Sequence, residues 1–131
     1  LVATPNASAP FNLFPVGSGN AFNTLADQLR MVARMIANRA TFQHGRQIFY
    51  VSLGGFDIHS AQIATQPILI RRISQALGAF QTALEQLGVD DRVLTFTMSE
   101  FGRTLNANGS SLTDAGSDHG WGSIQMVMGK S

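Results

Sequence analysis

The sequence predicts an α/β fold built on a mainly parallel sheet. Amphipathic helical patterns alternate with short runs of β-forming residues, in the order helix, strand, helix, strand. A strand, a crossover helix and a following strand usually form a right-handed parallel unit. The chain has 131 residues, of which 44% are hydrophobic, so its length and its apolar content both suit one domain with a core.

The first part of the chain predicts an extended lead-in followed by a helix. Residues 1–19 hold three of the four prolines, which is typical of irregular structure. A helix is predicted over about residues 22–40, because apolar residues recur there at spacings of four, three and four: Leu25, Leu29, Val32 and Ile36. Residues 47–53 are rich in β-formers and predict a buried strand that Gly54 ends.

A second helix and a second strand follow. The helix is predicted over residues 67–87, with Pro67 in its first turn and Gly88 at its end. Its apolar stripe consists of Ile73, Leu77, Phe80, Leu84 and Leu87. Residues 92–98 predict another strand. Residues 99–123 form a long polar loop of a kind that is usually functional, and residues 124–128 suit a short final strand.

Composition excludes several classes of site and partner. The net charge is +1 without any basic run, so nucleic acid is not expected as a partner. The absence of cysteine excludes disulfides, thiolate metal sites and a cysteine nucleophile. No apolar run is long enough for a membrane span, and the first residues lack the features of a signal peptide. Only 13% of residues are charged, which indicates that part of the surface is normally covered.

Polar residues gather where the predicted strands end. Asp57 and His59 follow the first strand, and their spacing of two would direct both side chains to one face of an extended segment. Glu100 and Arg103 follow the second strand, and the long loop adds two more chemically useful side chains, those of Asp118 and His119. Ligands bind beyond the carboxyl ends of parallel strands, so we expect these side chains to converge on a divalent metal such as zinc or manganese.

Each of these signals also has a simpler interpretation. Asp57 and His59 suit a turn with a surface histidine, and Glu100 with Arg103 suits a local ion pair worth about 0–1 kcal/mol. Trp121 either anchors the loop to the core or forms the wall of a pocket beside Asp118 and His119. His44, which has no polar company, is interpreted as a solvated loop residue. The convergence of three clusters at one edge favours the metal site.

At these residues the sequence resembles a known family. The segments VSLGGFDIHSAQ, LGAFQTALEQLGVDDRVLTFTMSEFGRT and GSDHGWGSIQMVMGK are similar to domain-of-unknown-function family 1501, bacterial proteins of the alkaline-phosphatase and sulfatase superfamily. The preceding segment ANRATFQHGRQIFYVS fits as well. The resemblance therefore covers nearly the whole chain from about residue 20.

The resemblance implies an architecture and a cellular location. It implies a three-layer α/β/α sandwich, of which residues 1–131 would be a single partial domain at the C-terminal end. Family members typically carry a twin-arginine export signal, so a periplasmic or extracellular location is expected, with the signal and the N-terminal half missing here. Open sheet edges in such a piece predict self-association or instability.

The resemblance also implies metal chemistry. Asp57 and His59 are similar to the ligands of one divalent ion, the pair Asp118 and His119 to further ligands, and Glu100 to a strand-end acid; the ion is zinc, manganese or calcium. Paired ions would act on a phosphate or sulfate ester, with Arg103 donating to an equatorial oxygen.

Two hypotheses about activity follow. The superfamily's nucleophile has no counterpart in residues 1–20, so the chain alone is expected to be inactive even if the parent protein is a metal-dependent hydrolase. The alternative is a secreted binding or structural protein that keeps the fold without catalysis.

Overall fold

The computed structural model describes residues 8–15 and 23–130, which fall into two compact units. The first unit comprises residues 1–53 and 72–91, and the second comprises residues 54–71 and 92–131. The regular elements are a 3₁₀ helix at Phe11–Leu13, the helices α1 (Thr24–Ala37), α2 (Arg39–Phe42) and α3 (Gln62–Gln86), and the strands β1 (Thr95–Phe96), β2 (Gly102–Arg103), β3 (His119–Gly120) and β4 (Val127–Met128). Residues of α3 belong to both units.

Helix α1 confirms the predicted apolar stripe of the first helix. The stripe residues are all buried: Leu25, Leu29, Val32 and Ile36. Asn23 is the N-cap, and its side-chain oxygen accepts a hydrogen bond of 3.2 Å from the backbone N–H of Ala26. The side-chain amide of Asn23 also donates to the carbonyl of Arg72 at 2.9 Å, so this buried polar residue has partners at both ends.

Helix α3 confirms the second predicted helix and begins five residues earlier, at Gln62. Phe80 and Leu84 of the predicted stripe are buried in the first unit. The helix ends at Gln86, and Gly88, two residues later, has a φ of 64°. The N–H of Gly88 donates to Glu85 and that of Val89 to Leu84, which is the Schellman pattern that favours glycine at this position.

Only part of the predicted lead-in falls within the described residues. Residues 1–7 and 16–19 lie outside them, as does residue 22 at the predicted start of the first helix. Residues 8–15 form a turn that contains the 3₁₀ helix. Phe11 and Phe14 are both 2% exposed, so this short segment contributes to the core of the first unit.

The second unit contains two small antiparallel ribbons. Strand β1 pairs with β4, and Phe96 lies opposite Val127. Strand β2 pairs with β3, so Gly102 lies opposite Gly120 and Arg103 opposite His119. The predicted loop 99–123 therefore folds back on itself, and it contains both strands of the second ribbon.

The prediction of a mainly parallel sheet in a three-layer sandwich was wrong. The regular structure is mostly helical, and the described strands are two residues long and pair antiparallel. Residues 47–53 belong to no helix or strand, and Ile48 and Tyr50 are 91% and 90% exposed. Residues 95–96 take their partner from later in the chain, which returns in the opposite direction. A parallel sheet needs adjacent strands with helices over both faces, and local β-propensity cannot supply these neighbours.

Among the described residues, none of the helices combines the length and the apolar character needed to cross a membrane.

Candidate metal centre

The candidate site lies wholly in the second unit, where two segments distant in sequence are joined by backbone hydrogen bonds. Ser60 forms an isolated β-bridge with Ala115. The N–H groups of Ala61 and Gln62 donate to the carbonyls of Asp114 and Ala115, both at 3.1 Å. The segment that carries Asp57 and His59 is thereby held beside the segment that carries Asp118 and His119.

The β2–β3 ribbon brings His119 to this place. His119 lies opposite Arg103 in the ribbon, and the Thr104 N–H donates to the carbonyl of Asp118 at 2.9 Å. A Cβ atom at Gly102 would lie 2.5 Å from the carbonyl oxygen of Gly120, closer than non-bonded atoms approach. Glycine is therefore required at this crossing, because the two backbones touch.

Three side chains converge in one cluster, which we call the Asp57 cluster: Asp57, His59 and His119. The Nε2 atom of His59 lies 2.8 Å from Oδ1 of Asp57, and the Nε2 atom of His119 lies 2.9 Å from the same oxygen. One atom from each side chain falls within 4.8 Å of the others. All three side chains are exposed, so a ligand can reach them.

Asp118 lies behind His59. Its Oδ1 atom is 3.0 Å from Nδ1 of His59, on the opposite edge of the ring from Asp57. The amide of Asn108 donates to the same Asp118 oxygen at 2.9 Å and to the carbonyl of His59 at 3.0 Å. Asp118 and Asn108 together fix the orientation of the His59 ring, as carboxylates behind metal-binding histidines do.

The imidazole of His59 lies between two carboxylates. A carboxylate only accepts hydrogen bonds, and a neutral imidazole has one N–H, so His59 can then donate to Asp118 or to Asp57 but not to both. In either neutral tautomer the lone pair of the other ring nitrogen faces a carboxylate oxygen, at 2.8 Å for Nε2 and Asp57 or at 3.0 Å for Nδ1 and Asp118. Two lone pairs at this distance repel each other, so a proton or a metal cation must lie between them. The geometry therefore favours a positive charge at the centre of the cluster.

Both carboxylates are held in their charged forms. The hydrogen bond from His119, and after it the one from His59, lowers the pKa of Asp57 below its usual value. The hydrogen bonds from Asn108 and then from His59 lower the pKa of Asp118 in the same way. Both groups are consequently anionic at neutral pH, as a cation site requires.

Arg103 and Phe101 support the cluster. The guanidinium of Arg103 donates to the carbonyls of Phe56 and Ser117, and its Nη2 atom lies 3.7 Å from Oδ1 of Asp57. The Arg103 side chain is only 18% exposed. The ring of Phe101 stacks on the ring of His119, with centroids 4.0 Å apart. The guanidinium carbon of Arg103 lies 4.9 Å from the centre of the Phe101 ring.

We expect Arg103→Ala to lower the free energy of unfolding by about 2 kcal/mol, because two carbonyls lose a charged donor. The exposed Arg71, in the same unit, is the matched control, and Arg71→Ala should change stability by less than about 0.5 kcal/mol. Urea denaturation followed by far-ultraviolet circular dichroism measures both. Equal midpoints for the two variants would contradict the role of Arg103 in joining the loops.

Comparison with known proteins supplies the family. A family model described as "Protein of unknown function (DUF1501)" matches residues 16–130, which is most of the chain. The chain belongs to the DUF1501 family. The family resemblance read from the sequence is thus confirmed. The comparison with curated proteins and the comparison with solved structures each return no match.

Some of the predicted site residues of this DUF1501 chain meet in one cluster, and others lie outside it. Asp57, His59 and His119 meet in one cluster, Asp118 supports it through His59, and Arg103 lies beside Asp57. Glu100 is exposed and is not part of the cluster of described residues, so its assignment as a ligand stays a prediction. His44 is exposed, as predicted, and its ring faces Phe42.

Two residues that contact the candidate site were not predicted from the sequence. Asn108 binds Asp118 and the backbone of His59, and Phe101 stacks on His119. Asn108 precedes Gly109, which is an ordinary turn signal, and Phe101 is one apolar residue at a strand end. Neither carries a pattern that would indicate a site.

Proposed function

We propose that this protein is a metal-dependent hydrolase of phosphate or sulfate esters, and that the Asp57 cluster holds the catalytic ion. The observation that carries the proposal is the meeting of two imidazole Nε2 atoms at one carboxylate oxygen, at 2.8 and 2.9 Å. Two imidazoles and one carboxylate are a common ligand set of open zinc sites, which leave a position for water or substrate. We also propose that the protein acts outside the cytoplasm. This part of the proposal rests on the family resemblance described above.

The residues present fit a divalent ion. Their three ligand atoms lie within 4.8 Å of one another. A cation at the centre of the cluster would be stabilised by the Asp57 carboxylate and by the two imidazole nitrogens that face it. Zinc and manganese both accept nitrogen and oxygen ligands, whereas calcium prefers oxygen alone, so the two imidazoles favour the first two metals. A bound ion would polarise the ester oxygen and stabilise charge that develops during hydrolysis.

The neighbouring residues have separate roles in the proposal. Asp118 holds His59 through Nδ1, which leaves Nε2 directed at the ion position. Arg103 donates to two carbonyls, and a guanidinium has five N–H groups, so donors remain for an oxygen of an anionic ester. The positive charges of Arg103 and of the ion would together favour a phosphate or sulfate group over a neutral ester.

The nearby hydroxyl groups are already engaged. Ser99 donates to the carbonyl of Phe101, and Thr104 donates to that of Asn106. Ser117 donates to the side chain of Gln62 at 2.7 Å. None of these three hydroxyls is assigned as a nucleophile.

The test combines metal content with hydrolysis. The full-length protein, purified without chelator, is loaded with zinc or manganese, analysed for metal, and assayed with 4-nitrophenyl phosphate and 4-nitrophenyl sulfate. We expect about one tightly bound ion per chain and hydrolysis that depends on it. The double variant Asp57→Ala, His119→Ala should lose both, and His44→Ala should keep both.

Two outcomes contradict the proposal in different ways. No bound metal in the wild-type protein, even after addition of zinc and manganese, would remove the metal site. A bound ion without hydrolysis of either ester would favour the alternative, a secreted binding or structural protein that keeps the metal.

A further inference from the structure

A cavity of about 480 Å³ lies beside the Asp57 cluster, in the second unit. It is lined by residues 104–108 together with Asp118 and Trp121. The cavity is open to solvent and is not enclosed by the chain. Asp118 connects the two features, because it lines the cavity and also binds Nδ1 of His59.

Trp121 has an exposed side chain, and the residues on either side of it form backbone pairs with the β2 segment. Its side chain is 84% exposed at the edge of the cavity. The next residue, Gly122, exchanges two backbone hydrogen bonds with Arg103, at 2.7 and 2.9 Å. The residue before it, Gly120, pairs with Gly102 in the ribbon. The indole therefore projects from a paired segment of backbone, and its faces are open to a ligand.

The polar groups around Trp121 are neutral or anionic. The side chain of Asn108 already has partners at both ends: its N–H groups donate to the His59 carbonyl and to Asp118, and its oxygen accepts from the N–H of Gly116. The side-chain amide of Asn106 forms no hydrogen bond with another described residue, and the second carboxylate oxygen of Asp118 accepts from none of them. Both groups remain for a ligand that donates and accepts hydrogen bonds.

We infer that this cavity binds a saccharide ring, which stacks on the indole of Trp121. A sugar offers apolar C–H groups to the indole face and hydroxyl groups to Asn106 and Asp118. Among the described residues that line the cavity none is basic, so a nucleotide phosphate has no partner inside it. An uncharged, ring-shaped polyol fits this combination of an aromatic surface, an amide and a carboxylate.

The position of the cavity gives the saccharide a role. A sugar on Trp121 lies beside Asp118, and Asp118 adjoins the Asp57 cluster through His59. A phosphate or sulfate on that sugar would extend toward the cluster. That the saccharide is the alcohol part of the ester rests on the proposed function; binding of the sugar itself does not.

Trp121 is the only tryptophan of the chain, so its fluorescence reports directly on the cavity. The probes are glucose, galactose, mannose, N-acetylglucosamine and N-acetylglucosamine 6-sulfate, with ethyl sulfate as the ester without a sugar. We expect a saturable change in emission with at least one sugar, at a Kd of about 0.1–10 mM. The change should persist after treatment with chelator and in the His119→Ala variant.

Asn106→Ala should weaken sugar binding about tenfold, because the ligand loses a hydrogen bond. Ser110→Ala, at an exposed residue of the same loop that does not line the cavity, should leave the affinity unchanged. Trp121→Ala has no tryptophan emission, so it is tested by calorimetry, which should detect no binding.

Three results would overturn the inference: no saturable change with any sugar, equal affinities for the Asn106 and Ser110 variants, or a response to ethyl sulfate as strong as that to the sugars. Sugar binding by a protein that hydrolyses no ester would support the cavity and contradict only the proposed hydrolase.

Discussion

His119→Ala should raise the Kd for zinc at least about 100-fold, since loss of a ligand exceeds the 10- to 100-fold effect of changing a residue behind one. The Nε2 atom of His119 is one of the three ligand atoms that meet at the Asp57 cluster. Its removal leaves one imidazole and one carboxylate, a set that competes poorly with water for zinc. Isothermal titration calorimetry with zinc and with manganese measures the change.

The matched control for this prediction is His44→Ala. His44 is the remaining histidine of the chain, it is exposed, and it belongs to the first unit. The control should bind zinc with the affinity of the wild-type protein. If both histidine variants lose affinity equally, or neither does, zinc binds elsewhere and the Asp57 cluster is not a metal site.

The helices could be predicted from the sequence because their signals are local. The spacing of Leu25, Leu29, Val32 and Ile36 reports the face that α1 buries, whatever it packs against. Gly88 marked the end of α3 because a left-handed residue is needed at that single position. Such signals lie within a single helix and its cap, so they do not depend on the surrounding architecture.

The sheet could not be predicted because strand pairing is decided by distant residues. Residues 47–53 have the β-branched and aromatic composition of a strand, yet they belong to no described strand. Residues 95–96 lie in a predicted strand, but their partner is the antiparallel segment Val127–Met128. Composition indicates an extended backbone and says nothing about which neighbour it has, or in which direction that neighbour runs.

The candidate site was predicted better than the sheet that was expected to build it. Asp57, His59 and His119 do converge, although the convergence depends on the Ser60–Ala115 bridge and on the β2–β3 ribbon instead of parallel strand ends. Residue type drew attention to these side chains because imidazoles and carboxylates are common metal ligands, although each pair alone also suits a surface turn. The sequence could not show that Asp57 lies at the centre of the cluster and Asp118 behind His59, because this depends on how the two segments pack.

Gly116→Ala should lower the free energy of unfolding by about 3 kcal/mol or more, which is the upper range for forcing extra atoms into a packed site. A Cβ atom at Gly116 would lie 2.3 Å from the carbonyl carbon of His59 and 2.7 Å from the backbone nitrogen of Ser60. Neither contact is with a flexible side chain, so the backbone of one segment must move. Gly116 itself is held in place, because it exchanges hydrogen bonds with the side chain and the backbone of Asn108.

The same substitution should weaken zinc binding, because the backbone displaced by the new methyl group belongs to His59. Gly54→Ala is the matched control: Gly54 is exposed, belongs to the same unit, and has no atom within 4 Å of the position of a new Cβ. Its stability and zinc affinity should match those of the wild-type protein within about 0.5 kcal/mol. Urea denaturation and zinc titration of both variants decide the matter. A Gly116→Ala protein that unfolds at the wild-type midpoint would show that the His59 segment does not pack against Gly116, and the assembly of the Asp57 cluster from these two segments would then be wrong.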